Sequence, residues 1–238
     1  MLTLALPAYN EQDNITKVLE DTTRFLKTLN TDWEVLVIDN ASTDATAQRV
    51  NDFSTTCPQV RLISHESNRL YSGSCATALR EGKGDRIAIM DSDRQHTASD
   101  LPRFLAKMDQ GAGLVIGWRR HRNDPIMRKL FSSVFNAMGK VYLNYPLHDL
   151  NCGFRVLDKK FAKSIAINHK INLSNPELYT RAVLAGVPVA EVEVNHFARE
   201  EGKSTMNFGK IFQLFMLVNN YFQSLGNEIQ VNNKPRVI

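Results

Sequence analysis

Asp91 and Asp93 close the apolar run AIMDSDRQH, residues 88 to 96, where a buried strand would otherwise simply turn. Strand side chains alternate faces, so residues two apart share a face if the extended geometry persists through Ser92. Two carboxylates in one small volume raise each other's proton affinity unless a cation or hydrogen-bond donors compensate them. Hard oxygen ligands at a strand end suit a divalent metal with positions left for water and phosphate oxygens. The bland alternative is a solvated acidic turn.

Other residues of chemical interest fall at similar places. PAYNEQDN, from Pro7, closes one apolar run; Asn10 stands where a helix N-cap is wanted, and Tyr9 and Glu11 stand where a ribose or base would be met. VIDNASTDAT repeats the arrangement, with Asp39 at the end of the run, Ser42 or Thr43 as a cap, and Asp44 opening a helix. GWRRHRNDPIMRK gathers Arg119, Arg120, Arg122, Arg128 and Lys129. Arginine forks match phosphate oxygens bidentately, and Arg119, directly after a strand, is the strongest of the five. HDLNCGFRVL places His148 and Asp149 in a loop. REEGKSTMN offers Arg199 and Lys203 around a glycine, a composition that suits a lid over phosphates and equally an ordinary surface loop.

These residues need a frame that brings them to one edge. Apolar, β-branched runs at 2–7, 33–39, 59–64, 85–91 and 113–118 alternate with helix-period segments near 12–29, 43–53, 73–82 and 99–109. Strict alternation predicts an α/β fold with a parallel sheet and helices on both faces. In such sheets ligands bind beyond the carboxyl ends of the strands. After residue 119 the spacing predicts helices near 126–143, 159–167 and 175–185 and a strand over 189–197. One continuous domain over 1–238 is expected: a nucleotide-binding half to about 118, an acceptor-side half to about 206, then an apolar helix and tail.

The composition, 43% hydrophobic over 238 residues, provides for one sizeable core. Lys and Arg outnumber Asp and Glu by 29 to 25, a formal charge of +4 that suits anionic partners without demanding nucleic acid. Three widely spaced cysteines argue against a disulfide framework and for a reduced, cytoplasmic compartment. The N-terminus lacks the basic segment of a signal peptide, and no run reaches the ~18 apolar residues of a spanning helix. Membrane contact is therefore expected to be peripheral, at the inner face. The stripe Phe208, Ile211, Phe212, Phe215, Val218, Phe222 and Leu225 reads as core or as a seam between two copies, with membrane docking as the sharper alternative.

Taken together and in order, PAYNE, VIDNASTD, DSDRQH, DLNCGFR and the R-x-x-G-x-S of 199–204 resemble family 2 glycosyltransferases, most like the dolichyl-phosphate mannose synthase and bacterial polyprenyl-phosphate branch. The resemblance implies a GT-A fold, a GDP- or UDP-linked sugar donor, Mg²⁺ or Mn²⁺, and inverting transfer, with a polyprenyl phosphate as the expected acceptor. It places Pro7, Tyr9, Glu11 and Asp39 on the nucleoside, Asp91 and Asp93 on the metal, and Gln95 completing the metal shell. Arg119, Arg128 and Arg199 would hold phosphates, and Asn151, Arg155 and Ser204 would join Arg128 on the acceptor side. Two departures stand out: Thr205 replaces a usual lysine, so either Lys203 substitutes for it or donor contact from that loop is weaker, and Asn40 and Ala41 replace a usual aspartate and glycine, sparing the Asp39 contact but altering the turn.

Sugar leaving as its nucleotide develops charge on the β-phosphate, and cations aimed there lower the barrier. A hydroxyl acceptor also needs a base, for which Asp149 is the candidate. A phosphate acceptor arrives ionised, and Asp149 would then orient it or a positive side chain. Competing readings are poorer. No G-x-G-x-x-G follows a strand, which disfavours a dinucleotide oxidoreductase, and PAYNE stands where a nucleotidyltransferase would carry a glycine-rich loop. A catalytically silent sugar-nucleotide-binding subunit is the alternative of a different class, and retention of both aspartates and Asp149 argues against it.

Overall fold

The computed structural model describes residues 1–121, 126–168, 172–198 and 211–232. Among the described residues seven strands form one sheet in the order β3-β2-β1-β4-β6-β5-β7. They are β1 (Leu2–Ala8), β2 (Trp33–Asp39), β3 (Val60–Ser64), β4 (Arg86–Ile89), β5 (Leu114–Trp118), β6 (Arg155–Asp158) and β7 (Val189–Glu193). Every residue of β1 is buried, as a strand covered on both faces requires. The helices α1 (Gln12–Leu26), α2 (Thr46–Thr56), α3 (Leu70–Glu81), α4 (Leu101–Asp109), α5 (Ile126–Leu143), α6 (Lys159–Ser164), α7 (Ser174–Leu184) and α8 (Ile211–Asn232) complete the described elements. In α1 the buried Ile15, Val18, Leu19, Thr22 and Leu26 recur at one-face spacing, so the helix lies on the sheet by that stripe.

The sheet is mostly parallel, as expected, and the exception is β6, which runs antiparallel between β4 and β5. Four residues, one of them an arginine, give too short an apolar run for a strand to be recognised. Its reversal has a consequence for the site: the amino end of β6, not its carboxyl end, reaches the edge where β1, β2, β4, β5 and β7 finish. The switch point between β1 and β4 lies on that same edge.

Strand β4 stops at Ile89 and β7 at Glu193, both short of the predicted ends. Asp91 and Asp93 therefore lie on a turn rather than on an extended segment, and Arg94 takes φ 64°. Asn10 does not cap α1. It takes φ 54°, and the N-cap of α1 is Glu11.

In α8 the stripe divides. Val218, Phe222, Leu225 and Ile229 are buried, with Phe222 edge-on to Phe135 of α5 at 5.0 Å, whereas Phe215, Met216 and Leu217 are exposed. Phe208 lies outside the described residues. No helix among the described residues is long and apolar enough to cross a membrane.

Ala41 keeps a left-handed backbone, φ 62°, although it is not glycine. That conformation costs an L-residue about 1–2 kcal/mol, partly offset by the smaller unfolded-state freedom of alanine. Ala41→Gly should therefore stabilise the fold by about 0.5–1 kcal/mol, roughly 2 °C in thermal denaturation for a chain of this size. An unchanged or lower Tm would show that the turn carries no such strain.

Candidate active site

The loops after β1 and β2 are stitched together by side chains from both. The Asn10 amide N donates to Ser42 Oγ at 2.9 Å, and Asn10 Oδ1 accepts from the Thr43 amide at 2.8 Å. Asp44 accepts from the Thr46 amide at 2.9 Å and from the Gln12 amide at 3.2 Å. Burial alone would raise its carboxyl, but these bonds, led by the Thr46 hydroxyl, outweigh it and hold the group below the usual range. Asp44 is thus occupied in holding the loop.

Asp39 is buried at the end of β2, opposite Ala8 in the register, and its Oδ1 accepts from the Ser42 amide at 3.2 Å. Its Oδ2 takes no hydrogen bond among the described residues. Tyr9 is exposed beside it, while Glu11 is buried and its Oε2 accepts from Asn14 Nδ2 at 2.7 Å. Pro7 contributes its carbonyl, which accepts from Ser92 Oγ at 2.7 Å and so pins the acidic turn to β1.

Asn40, in place of the expected aspartate, bonds outward to the next loop. Its Oδ1 accepts from the Arg69 amide at 2.9 Å and lies 3.0 Å from His65 Nδ1, and its Nδ2 donates to Asn68 at 3.0 Å. Burial, with Arg69 and Arg80 nearby, keeps His65 below its ordinary pKa.

The two aspartates of the turn have different partners. Asp91 Oδ1 accepts the Tyr71 hydroxyl at 2.7 Å, and Asp93 Oδ1 accepts from the Gln95 amide at 3.1 Å. Burial pushes the Tyr71 hydroxyl well above its usual range, so it is a donor at neutral pH. Gln95 Nε2 donates to the Phe197 carbonyl at 3.3 Å, tying the turn to the segment after β7. Gly153 lies directly against Asp91: a Cβ there would stand 2.6 Å from Oδ1 and closer still to Cγ and Oδ2.

This donor set fits a hard divalent ion. Asp91 and Asp93 bring carboxylate oxygens, Gln95 Oε1 is an uncharged oxygen on the same turn, and Gly153 leaves the Asp91 carboxylate its space. Among the described residues no three His, Cys, Asp or Glu side chains converge as a metal centre. Such a site is incomplete until substrate oxygens join it.

Arg119 and Asp149 meet across the edge. Arg119 Nε donates to Asp149 Oδ2 at 2.7 Å and its Nη2 to Oδ1 at 3.0 Å, a bidentate fork with side chains only 10% and 4% exposed. Arg119 Nη2 also reaches the Asn151 carbonyl at 2.9 Å, and the Asn151 amide donates to Asp149 Oδ1 at 3.2 Å. The loop carrying Asp149 is held from β7: Glu191 Oε1 accepts from the amides of His148 and Asp149 at 2.9 and 3.0 Å. His148, stacked on Trp118 at 4.1 Å, gives its ring to the same carboxylate. Beside the fork opens a cavity of about 280 Å³, lined by Arg120, Lys129, Ser132, Ser133 and Asn136 among others.

Arg155 is not in the cleft. Expected among the acceptor's phosphate ligands, it is instead 1% exposed on β6, with its guanidinium bonded to Asn175 Oδ1 and to Cys75 Sγ. A central strand points alternate residues into the layers, and Arg155 falls on an inward position. Arg199, Lys203 and Ser204 lie outside the described residues, as does the side chain of Arg128. Tyr71, Gly153 and Glu191 had no signal in the sequence, because each acts through a neighbour that only the fold supplies.

A family model described as glycosyl transferase family 2 matches residues 3–166. Among curated relatives, CsbB of Bacillus subtilis, which carries a glycosyltransferase name, is 24% identical over 99% of this chain and 68% of its own. The undecaprenyl-phosphate 4-deoxy-4-formamido-L-arabinose transferase of Salmonella choleraesuis is 27% identical over 90% of this chain and 64% of its own. The chain thus spans about two thirds of the length of these relatives. In fold it is similar to the glucosyl-3-phosphoglycerate synthase of Mycobacterium tuberculosis solved with Mn²⁺, UDP-glucose and phosphoglyceric acid, with TM-score 0.70 and 16% identity over 94% of this chain and 80% of that one. It is similar also to a mannosyltransferase of Pyrobaculum calidifontis solved with GDP-mannose and Mn²⁺, with TM-score 0.60 and 18% identity over 95% and 72%.

Proposed function

From a chain that belongs to glycosyl transferase family 2 and has the GT-A fold, we propose the activity of an inverting transferase that moves a sugar from a UDP- or GDP-linked donor to a polyprenyl phosphate. The observation that carries this reading is the convergence on one sheet edge of Asp39, the Asp91–Asp93 turn and the Arg119–Asp149 fork. Asp39 Oδ2 would accept from the base, with Tyr9 and Pro7 bordering the nucleoside. Asp91, Asp93 and Gln95 would hold Mg²⁺ or Mn²⁺, which when bound neutralises the donor's diphosphate. Arg119 would meet charge developing on phosphate, and being fixed beforehand it would do so without reorganisation.

The fork and the cavity beside it support this acceptor class. Both oxygens of Asp149 already accept hydrogen bonds, so the carboxylate is placed to orient Arg119 rather than to take a proton. The cavity lining, with Arg120, Lys129 and the hydroxyls of Ser132 and Ser133, suits a phosphate monoester, which needs no base. A polyprenyl phosphate also agrees with the name of the Salmonella relative. Such an acceptor would bring the protein to the cytoplasmic face of a membrane as a peripheral enzyme.

The test is a screen of UDP- and GDP-sugars with Mn²⁺ and a polyprenyl phosphate, scored for a sugar-phosphate lipid. Transfer to a soluble alcohol with none to the lipid would reject the acceptor, and no turnover of any nucleotide sugar would reject the transferase. For the donor side, Asp39→Ala should weaken UDP or GDP binding by about 10–100-fold, the worth of one hydrogen bond to a charged group. Calorimetry checks it, and equal affinity would remove Asp39 from the nucleotide site.

A further inference from the structure

Arg155 carries a charge into the interior without a carboxylate at ion-pair distance among the described residues. Removing a guanidinium from water costs several kcal/mol unless the surroundings compensate. Its hydrogen-bond partners are neutral: Asn175 Oδ1, Cys75 Sγ at 2.8 Å and the Tyr71 hydroxyl oxygen at 3.5 Å. The guanidinium also lies 5.5 Å from the centre of the Tyr71 ring, within range of a cation–π contact. Tyr71 in turn donates to Asp91 Oδ1 at 2.7 Å. The contacts therefore run cation, phenol, carboxylate, from the core to the acidic turn.

The far side of Arg155 is fixed as well. Asn175, which accepts from it, donates through Nδ2 to the Cys152 carbonyl at 3.1 Å, next to the Gly153 that abuts Asp91. The same carboxylate is thus held from two sides, by a hydroxyl on α3 and by the backbone entering β6.

We propose that Tyr71 and Arg155 are positioning residues for Asp91: by holding Oδ1 they fix the carboxylate in one rotamer, ready for a divalent ion. This rests on the reading of the acidic turn as the metal site. Asp91 is held by a phenol that is itself backed by a buried cation. Hydrogen-bond partners that orient a ligating carboxylate are typically worth about 10–100-fold in metal affinity.

The test uses the full chain with saturating UDP or GDP, whichever it binds, and Mn²⁺ titrated by calorimetry. Tyr71→Phe removes a single hydroxyl, and Mn²⁺ affinity should fall about 10–100-fold while metal-free nucleotide binding and Tm stay unchanged. Raising Mn²⁺ to saturation should restore turnover, a rescue that a general loss of structure would not permit. Arg155→Met should move Mn²⁺ affinity in the same direction; if that variant does not fold, Tyr71→Phe decides. Unchanged Mn²⁺ affinity in Tyr71→Phe overturns the proposal alone. Absence of Mn²⁺ binding by the unsubstituted protein with either nucleotide overturns the metal reading and this proposal with it.

Discussion

Gly153→Ala should abolish sugar transfer, by about 10³-fold or more, in a protein that still folds. The backbone of Gly153 is not left-handed, so conformational freedom is not what the position requires. Space is. An added Cβ would stand 2.6 Å from Asp91 Oδ1 and overlap its Cγ and Oδ2, and nothing softer than that carboxyl group is in its way. Asp91 would have to leave its rotamer and give up the Tyr71 hydroxyl, or the entry to β6 would have to shift. Overpacking of this kind costs typically about 1–3 kcal/mol of stability, which a domain of ordinary stability survives. Misplacing a group by an ångström at a reacting centre costs about 10²-fold by itself, and loss of a metal ligand adds to it. Circular dichroism and thermal denaturation would report the fold, and single-turnover transfer the chemistry. Activity within tenfold of the unsubstituted enzyme would mean that Asp91 is not a working ligand.

That position also marks where sequence reading stopped. The span of β2 was legible to the residue, because the unbroken apolar run 35–38 behind Trp33, ended by an aspartate, has few alternatives. The placement of Asp39, the acidic turn and Arg119 on one edge was legible because each ends or follows a strand, and strand ends share an edge. What lay beyond reach was partnership across that edge. The resemblance put Arg155 on the acceptor side; its burial follows from β6 inserting antiparallel between β4 and β5, a long-range pairing with no local signal. Tyr71 sits in the first turn of α3 and meets Asp91 only because β4 lies beside β1. Asn10 read as a helix cap, and instead spends its side chain on the loop after β2, because tertiary contact outbid the local bond. Local chemistry was therefore readable, and the second partner of each functional side chain was not.

Asp149→Asn should lower transfer by about 10²–10³-fold, and the shape of that loss separates the two acceptor classes. The amide is the same size as the carboxylate, but both carboxylate oxygens are acceptors here: Oδ2 takes Arg119 Nε, and Oδ1 takes Arg119 Nη2 and the Asn151 amide. Whichever way the amide is turned, its NH₂ faces a donor. The fork is broken and Arg119 is left charged, nearly buried and without its counter-ion, a change that costs about 3–5 kcal/mol when a buried pair loses one member. If Asp149 acts through Arg119, Arg119→Lys should cause a comparable loss, since a lysine cannot make the bidentate contact, and the double variant should be little worse than either single one. The acceptor KM should rise, donor affinity should hold, and the pH–rate profile should keep its shape. If Asp149 is a general base for a hydroxyl, the profile should instead lose its acidic limb, and Arg119→Lys should add its own cost on top. The closed fork favours the first outcome. A proton-accepting carboxylate would need one oxygen turned to the acceptor, and here Glu191, from β7, holds the backbone of the loop so that both turn to Arg119.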